Sequence, residues 1–191
     1  MSTTLASHEI ATVGVLPPNG RAAIKAMFGN PSNHDGTLNA AWEHANIETA
    51  KPSRWKFFYQ DDSGLVPTSG IRMHRLIVPN FNNAMGEIWD YAKMQIGGAP
   101  TEDTVRDWLH QRHLDVTGGG FNYRKITAGS ELSLHSYGIA IDMDPLHNPR
   151  KKPLTKTLPD WWFDIMQKWG FSNGCHFPTP DPMHIQFATG A

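Results

Sequence analysis

Residues 133–144, Ser-Leu-His-Ser-Tyr-Gly-Ile-Ala-Ile-Asp-Met-Asp, combine an apolar strand pattern with ionisable groups at both ends. Residues 139–141 are small or apolar, so we expect the segment to enter the core as a β-strand. A buried carboxylate is costly unless it is paired, hydrogen-bonded or bound to a cation. A zinc ion would remove that cost for Asp142 and for a neutral His135 together.

The spacing between His135 and Asp142 needs a local irregularity. In a regular strand, residues seven apart point to opposite faces of the sheet. Gly138 lies between them and permits a turn or bulge. We therefore expect the chain at Gly138 to bring His135 to the side of Asp142.

The C-terminal segment 181–187, Asp-Pro-Met-His-Ile-Gln-Phe, supplies a third ligand. As a strand it places His184 on its more polar face and apolar residues on the other. Two histidines and one carboxylate leave a fourth tetrahedral position open, which is typical of catalytic zinc sites. Asp181 precedes His184 by three residues on a proline-containing turn, within reach of that open position.

Further from these segments, capping signals and apolar spacing predict helices at 21–28, at 79–96, from Thr101 onward, and at 159–169. Strands are predicted at 55–59, 71–78, 138–144 and 183–188, and residues 61–70 are rich in turn formers. Helices and strands grouped in runs are typical of the α+β class. We expect a small antiparallel sheet with helices packed on it and the zinc site at the sheet.

Length and composition predict one globular domain over residues 1–191, with residues 1–18 as an N-terminal arm. The 17 basic and 18 acidic residues give a net charge of −1, which argues against a nucleic-acid partner. A single cysteine excludes an internal disulfide. We find neither a membrane span nor a secretion signal in the sequence.

The pattern Ser-x-His-x-x-Gly-x-Ala-x-Asp at 133–142, followed by an acidic residue three before a final histidine, resembles one family of zinc peptidases. These are the D-alanyl-D-alanine carboxypeptidases and L-alanyl-D-glutamate endopeptidases, which include VanY-type enzymes and many phage endolysins. The resemblance covers roughly residues 118–188. It implies Zn²⁺ as the cofactor and a set of metal ligands: His135, Asp142 and His184.

The same resemblance implies roles for three further residues. Asp181 corresponds to the general base. Arg124, at the end of the run Gly-Gly-Phe-Asn-Tyr-Arg, corresponds to the arginine that meets a substrate carbonyl or carboxylate and stabilises the oxyanion. Ser133 would line the substrate site. Each has a simpler interpretation: Asp181 as a turn cap, Arg124 as a partner of a surface carboxylate, and Ser133 as a hydrogen-bond donor at a strand end.

The remaining histidines are less informative. His110 and His113 lie at helical spacing and are interpreted as a polar helix face. His74, His147 and His176 stay open as groups facing the substrate or supporting the metal ligands. Cys175 beside His176 is not expected to be a nucleophile, because adjacent side chains diverge in extended structure.

The resemblance predicts hydrolysis of peptidoglycan stem peptides, and the expected protein is a phage endolysin held in the host cytoplasm before it reaches the periplasm and cell wall. Three alternatives stay open. The first is a lysin carried on the virion tail among other virion proteins, and the second is a zinc-binding structural component without turnover. The third is a D-alanyl-D-alanine carboxypeptidase of bacterial wall metabolism.

Overall fold

The computed structural model describes residues 14–126 and 129–190. Within these ranges the α-helices are α1 (Gly20–Phe28), α2 (Ala40–Asn46), α3 (Val78–Ile96), α4 (Glu102–His110) and α5 (Asp160–Lys168). The strands are β1 (Ile47–Ala50), β2 (Phe57–Asp61), β3 (Gly64–Thr68), β4 (Ile71–His74), β5 (Val116–Gly119), β6 (Ala140–Met143), β7 (Ser172–Gly174) and β8 (Asp181–Gln186). The predicted α+β class is confirmed.

Six strands form the main sheet, in the order β3-β2-β5-β6-β8-β7. Its neighbours are antiparallel except β2 and β5, which are parallel. A separate antiparallel pair is formed by β1 and β4. The strands that carry the predicted metal ligands, β6 and β8, are therefore adjacent in the interior of the main sheet.

Helix α3 is the longest described helix and has one continuous buried face. Phe81, Met85, Ile88 and Ala92 are fully buried at a spacing of three to four residues, as the apolar pattern predicts. The helix contacts α4 and α5, and its buried residues join those of β6 and β8 in one core. The two ligand-bearing strands thus rest on a rigid hydrophobic layer.

The predicted strand at 71–78 is too long. Strand β4 ends at His74, whose Nδ1 atom accepts a hydrogen bond from the Leu76 backbone nitrogen at 3.3 Å. This cap starts a 3₁₀ turn at Arg75–Ile77 that leads directly into α3. A polar side chain that satisfies the backbone has therefore ended the strand four residues early.

The segment at 61–70 is a hairpin rather than a long turn. The Asp61 carboxylate accepts a hydrogen bond from the Ser63 backbone nitrogen at 2.7 Å, which confines the turn to a few residues. Strand β3 follows at once and pairs with β2. The predicted strand at 55–59 begins only at Phe57, because the Trp55 indole nitrogen turns toward α3 and donates to the Met85 carbonyl.

The predicted N-terminal arm is described only from residue 14 onward, and residues 1–13 lie outside the described residues. Val15 exchanges two hydrogen bonds with the buried side chain of Asn80 in α3, at 3.3 and 3.2 Å. Among the described residues, no helix has the length and apolar character needed to cross a membrane.

Candidate metal centre

His135 reaches the centre from a short helix rather than from the strand. It lies in a 3₁₀ helix, Leu134–Tyr137, which Gly138 ends in the left-handed conformation with φ 68°. The predicted strand at 138–144 accordingly starts only at Ala140. The expected irregularity at Gly138 is present, and it turns the chain so that His135 faces Asp142.

Asp142 and His184 come together through strand pairing. The two residues are direct register partners on antiparallel strands β6 and β8. Directly opposite side chains of an antiparallel pair lie on the same face and within contact distance. The sheet register alone therefore places the carboxylate beside the second imidazole.

Three ligand atoms converge in a nearly equilateral triangle. His135 Nε2 lies 3.2 Å from His184 Nδ1 and 3.3 Å from Asp142 Oδ1, and His184 Nδ1 lies 3.2 Å from Asp142 Oδ1. With zinc–ligand bonds of about 2.0 Å, the edge of a tetrahedron is about 3.3 Å. The triangle therefore fits one face of a tetrahedral zinc site.

The outer nitrogens of both imidazoles are held by acceptors. His135 Nδ1 lies 2.7 Å from the Gly120 carbonyl oxygen, which only accepts, so Nδ1 carries the proton and Nε2 presents a lone pair to the centre. His184 Nε2 lies 3.1 Å from Gln186 Oε1, which leaves Nδ1 to face the centre. Such supporting acceptors orient metal-binding histidines and raise their basicity.

The electrostatics favour an ionised carboxylate. Burial raises the pKa of Asp142, but the adjacent imidazoles of His135 and His184 outweigh it and hold that pKa far below its ordinary value. Burial lowers the pKa of His184, while the bonded Asp142 carboxylate more than reverses this and raises it. The cluster thus concentrates negative charge next to two imidazoles, as a cation site requires.

Asp181 is the first residue of β8 and lies beside the triangle. Its Oδ1 atom is buried and has no hydrogen-bond partner among the described residues, and its Oδ2 atom lies 3.9 Å from Arg150 Nε. Burial raises the pKa of Asp181, and the nearby positive charges of His184 and Arg150 only partly offset this. A carboxylate with one oxygen free of hydrogen bonds and a raised pKa is suited to accepting a proton.

Arg124 and Ser133 both lie next to the centre. A cavity of about 200 Å³ contains Arg124 together with His135 and Asp142, and a second of about 360 Å³ contains Arg124 and Ser133 together with Asp181 and His184. Arg124 therefore lies between the two halves of the cleft. Ser133 is buried, and its hydroxyl accepts a hydrogen bond from the His135 backbone nitrogen.

The sequence pattern does not indicate two supporting residues. Gln186 orients His184, as described above. Ser136 is fully buried, and its hydroxyl accepts from the Arg124 backbone nitrogen at 2.8 Å and donates to the Arg124 carbonyl at 2.6 Å. These bonds tie the arginine segment to the helix that carries His135. The position of Gln186 two residues after His184 on one strand face is the only signal that could have identified it.

The interpretation of His110 and His113 as a polar helix face is wrong for His113, which lies beyond the end of α4. His110 Nδ1 lies 3.0 Å from the buried Asp115 carboxylate, and His113 follows the end of α4 near Asp144. For Cys175, burial raises the pKa of the thiol, which disfavours the thiolate that a nucleophile needs.

Comparison with known proteins gives one match. Residues 127–187, roughly a third of the chain, match the model of a family described as D-alanyl-D-alanine carboxypeptidase. The matched segment contains the three convergent residues and Asp181, whereas Arg124 precedes it. No curated protein and no solved structure matches the chain. The match supports assignment to the peptidases.

Proposed function

We propose that the protein is a zinc-dependent peptidase that hydrolyses the peptide stems of bacterial peptidoglycan, and that it serves as a phage endolysin. The observation that carries the proposal is the triangle formed by His135, Asp142 and His184, beside the Asp181 carboxylate, whose Oδ1 atom makes no hydrogen bond among the described residues. The family match over residues 127–187 supports the same reaction class.

His135, Asp142 and His184 would hold the zinc ion. When bound at such a site, zinc acts as a Lewis acid on the scissile carbonyl and lowers the pKa of water to about 7. Gly120 and Gln186 keep the two imidazoles in the tautomers that present lone pairs to the ion.

Asp181 acts as the general base. Its unpaired Oδ1 atom accepts the proton of the attacking water, and the same carboxyl group then donates that proton to the leaving amine. The raised pKa of Asp181 favours the first half of this transfer, since a stronger base takes up the proton of water more readily. No covalent bond between chain and substrate is needed.

Arg124 binds the substrate. Its side chain lines both cavities beside the triangle, where a guanidinium group can donate to a substrate carbonyl or carboxylate. As charge develops on the carbonyl oxygen, the same donor stabilises it. Ser133 holds the backbone at His135 and borders the path of the stem peptide.

The proposed biological setting is that of a phage endolysin. The enzyme would be held in the host cytoplasm and then reach the cell wall, with the stem peptide as its partner. The motif at 133–142 resembles a family that includes many phage endolysins, which is the support for this setting.

The test uses purified full-length protein, zinc and peptidoglycan sacculi. New amino termini should appear with the wild type and with Asp164→Ala, a matched variant at an exposed aspartate of α5, and should be nearly absent with Asp181→Ala. Mass spectrometry of products from defined muropeptides then identifies the bond. Absence of new amino termini with the zinc-loaded wild type, or equal release by Asp181→Ala, contradicts the proposal.

A further inference from the structure

A second group of metal-ligating side chains lies outside the centre described above. Asp144 Oδ1 lies 2.8 Å from His147 Nδ1 and 3.5 Å from His113 Nδ1. The two imidazole rings meet edge to face, with centroids 4.5 Å apart. One ligand atom from each of the three residues lies within 4.8 Å of the other two. From this arrangement we infer that His113, Asp144 and His147 form a second site for a divalent transition-metal ion.

The carboxylate of this cluster is buried and oriented. Asp144 is 1% exposed, and its Oδ2 atom accepts hydrogen bonds from Asn148 Nδ2 at 3.0 Å and from Thr157 Oγ1 at 3.2 Å. These two donors fix the plane of the carboxyl group and leave Oδ1 directed at the histidines. A buried carboxylate with one oxygen satisfied by neutral donors and the other facing two imidazoles has the surroundings of a metal ligand.

His113 supplies an unsatisfied ligand atom. Its Nδ1 atom is buried and makes no hydrogen bond within the described residues, although it lies near Asp144. Buried polar atoms are nearly always paired, so an unpaired nitrogen directed at a carboxylate calls for a partner. A cation between His113, Asp144 and His147 would coordinate this nitrogen.

The backbone also indicates a special site. His113 and Asp144 have φ values of 56° and 44°, and they are two of the three non-glycine residues with positive φ among the described residues. Left-handed backbone is uncommon for such residues and tends to occur where ligands are bound. Both residues are held in place by strand β5, since the Val116 nitrogen donates to the His113 carbonyl and the Asp144 nitrogen donates to the Val116 carbonyl.

The cluster opens into a cavity of its own. This cavity measures about 600 Å³, and its lining includes the three cluster residues and an aromatic wall of Tyr91, Trp108 and Trp161. It shares no lining residue with the two cavities around His135 and His184. An ion held by the cluster would therefore have its remaining coordination positions directed at this aromatic cavity.

The ligand set selects the class of ion. Two imidazole nitrogens and one carboxylate oxygen favour zinc, cobalt, nickel or copper over the hard cations calcium and magnesium, which prefer oxygen ligands. The site is independent of the proposed peptidase chemistry. Although Asp144 follows Asp142 by two residues, the two clusters have no side chain in common.

The experiment measures metal binding by the full-length, metal-free protein. Zinc is titrated by calorimetry, the bound ions are counted by native mass spectrometry, and cobalt is used to follow visible absorption of the site. The variants are His147→Gln and His113→Asn, since asparagine tolerates the left-handed backbone at position 113. His44→Gln, at an exposed histidine of α2, is the matched control.

The wild type and His44→Gln should bind an ion that both cluster variants lose. Loss of a direct ligand should exceed the roughly 10–100-fold weakening that follows loss of a supporting group. Circular dichroism checks folding, which should survive because the side chains of His113 and His147 are 39% and 40% exposed. Equal zinc affinity and stoichiometry in wild type, His147→Gln and His113→Asn would overturn the inference.

The His184→Ala variant separates this inference from the proposed function. It should retain the ion that depends on His113 and His147 while losing any ion held by the first centre. If the first centre binds no ion, the total number of bound ions is lower, but one ion still depends on His113 and His147. Loss of every bound ion in a folded His184→Ala protein would count against the second site.

Discussion

His135 Nε2 lies 3.2 Å from His184 Nδ1, although 49 residues separate the two histidines along the chain. They present different ring nitrogens to the centre because their outer nitrogens meet different acceptors, the Gly120 carbonyl and the Gln186 side chain. One acceptor belongs to the backbone and the other is a side chain that mutation can remove. The geometry of the centre therefore depends on a residue that is not itself a ligand.

Replacing Gln186 with leucine should weaken zinc binding by about 10–100-fold, because His184 loses the acceptor that fixes its tautomer and ring orientation. Zinc affinity is measured by competition with a chelator of known strength. Gln167→Leu, at an exposed glutamine of α5, is the control and should bind zinc as the wild type does. Unchanged affinity in Gln186→Leu would show that the contact does not orient His184.

Asp181→Asn should lower peptidase activity by about 10²–10⁴-fold while zinc content stays unchanged, because the proposed general base is lost and the proposed ligands are kept. The same variant should be more stable than the wild type at pH 7 in the metal-free state. The pKa of Asp181 is raised by burial, so the folded state binds more protons than the unfolded state above the ordinary carboxyl pKa. As pH rises through the folded-state pKa of Asp181, the wild type therefore loses the unfolding free energy that this proton contributes. Asparagine does not titrate and avoids this loss.

Urea denaturation at pH 7 checks the stability change, and peptide hydrolysis checks the rate. Asp164→Asn serves as the control for both measurements, since Asp164 is exposed. A variant that loses activity and stability together would point to a structural role for Asp181 instead.

Gly138→Ala should destabilise the fold and disturb the centre. A Cβ atom at this position would lie 2.7 Å from Ile47 Cδ1 and 2.8 Å from the His74 backbone nitrogen, and the residue has φ 68°. The left-handed backbone costs an alanine about 1–2 kcal/mol, and the clash adds about 1–3 kcal/mol. Urea unfolding and zinc titration measure the two effects.

Gly98→Ala is the matched control for that change. Gly98 has φ 62°, yet its added Cβ would have no atom within 4 Å. This control variant should lose only the unfolding free energy that a left-handed backbone costs an alanine, about 1–2 kcal/mol, and it should bind zinc normally. Equal destabilisation by the two substitutions would mean that close packing at Gly138 is unimportant.

His74 should make the fold sensitive to acid. Burial lowers its pKa from the ordinary 6.5 to about 4, so below pH 6.5 the unfolded chain takes up a proton that the folded chain does not. The unfolding free energy should therefore fall by up to about 3 kcal/mol as pH decreases from 6.5 to 4. His74→Asn keeps an acceptor for the Leu76 nitrogen but does not titrate, so its stability should vary less over this window.

Urea unfolding at a series of pH values tests the dependence on His74. The exposed variant His44→Gln should follow the wild-type curve. If His74→Asn shows the same loss of stability with acid as the wild type, the acid sensitivity arises elsewhere.

Strong local patterns predict part of this fold. The apolar spacing of 79–96 identifies α3 almost to its ends, and the caps at Thr101 and Gly97 agree with the observed boundaries. The motif at 133–142 identifies the residues that converge, because several residue types occur at fixed positions. Their roles as ligands, base and substrate-binding groups stay predictions.

Features that depend on distant contacts are not predictable in this way. Strand β5, Val-Thr-Gly-Gly, has two glycines that indicate a break, yet it lies between β2 and β6 and pairs with both. Its strand conformation comes from its neighbours rather than from its own residues. The cluster of His113, Asp144 and His147 is likewise formed by the chain path after α4 and β6, which no local spacing encodes.

The register between Asp142 and His184 also constrains how related chains can diverge. Insertion or deletion of one residue within β6 or β8 would turn one of these side chains to the opposite face of the sheet. The connection at 175–180 lies outside the ladder, and its Phe177 borders the cleft near His184. Variation in loop length there can reshape the cleft while the paired strands stay unchanged.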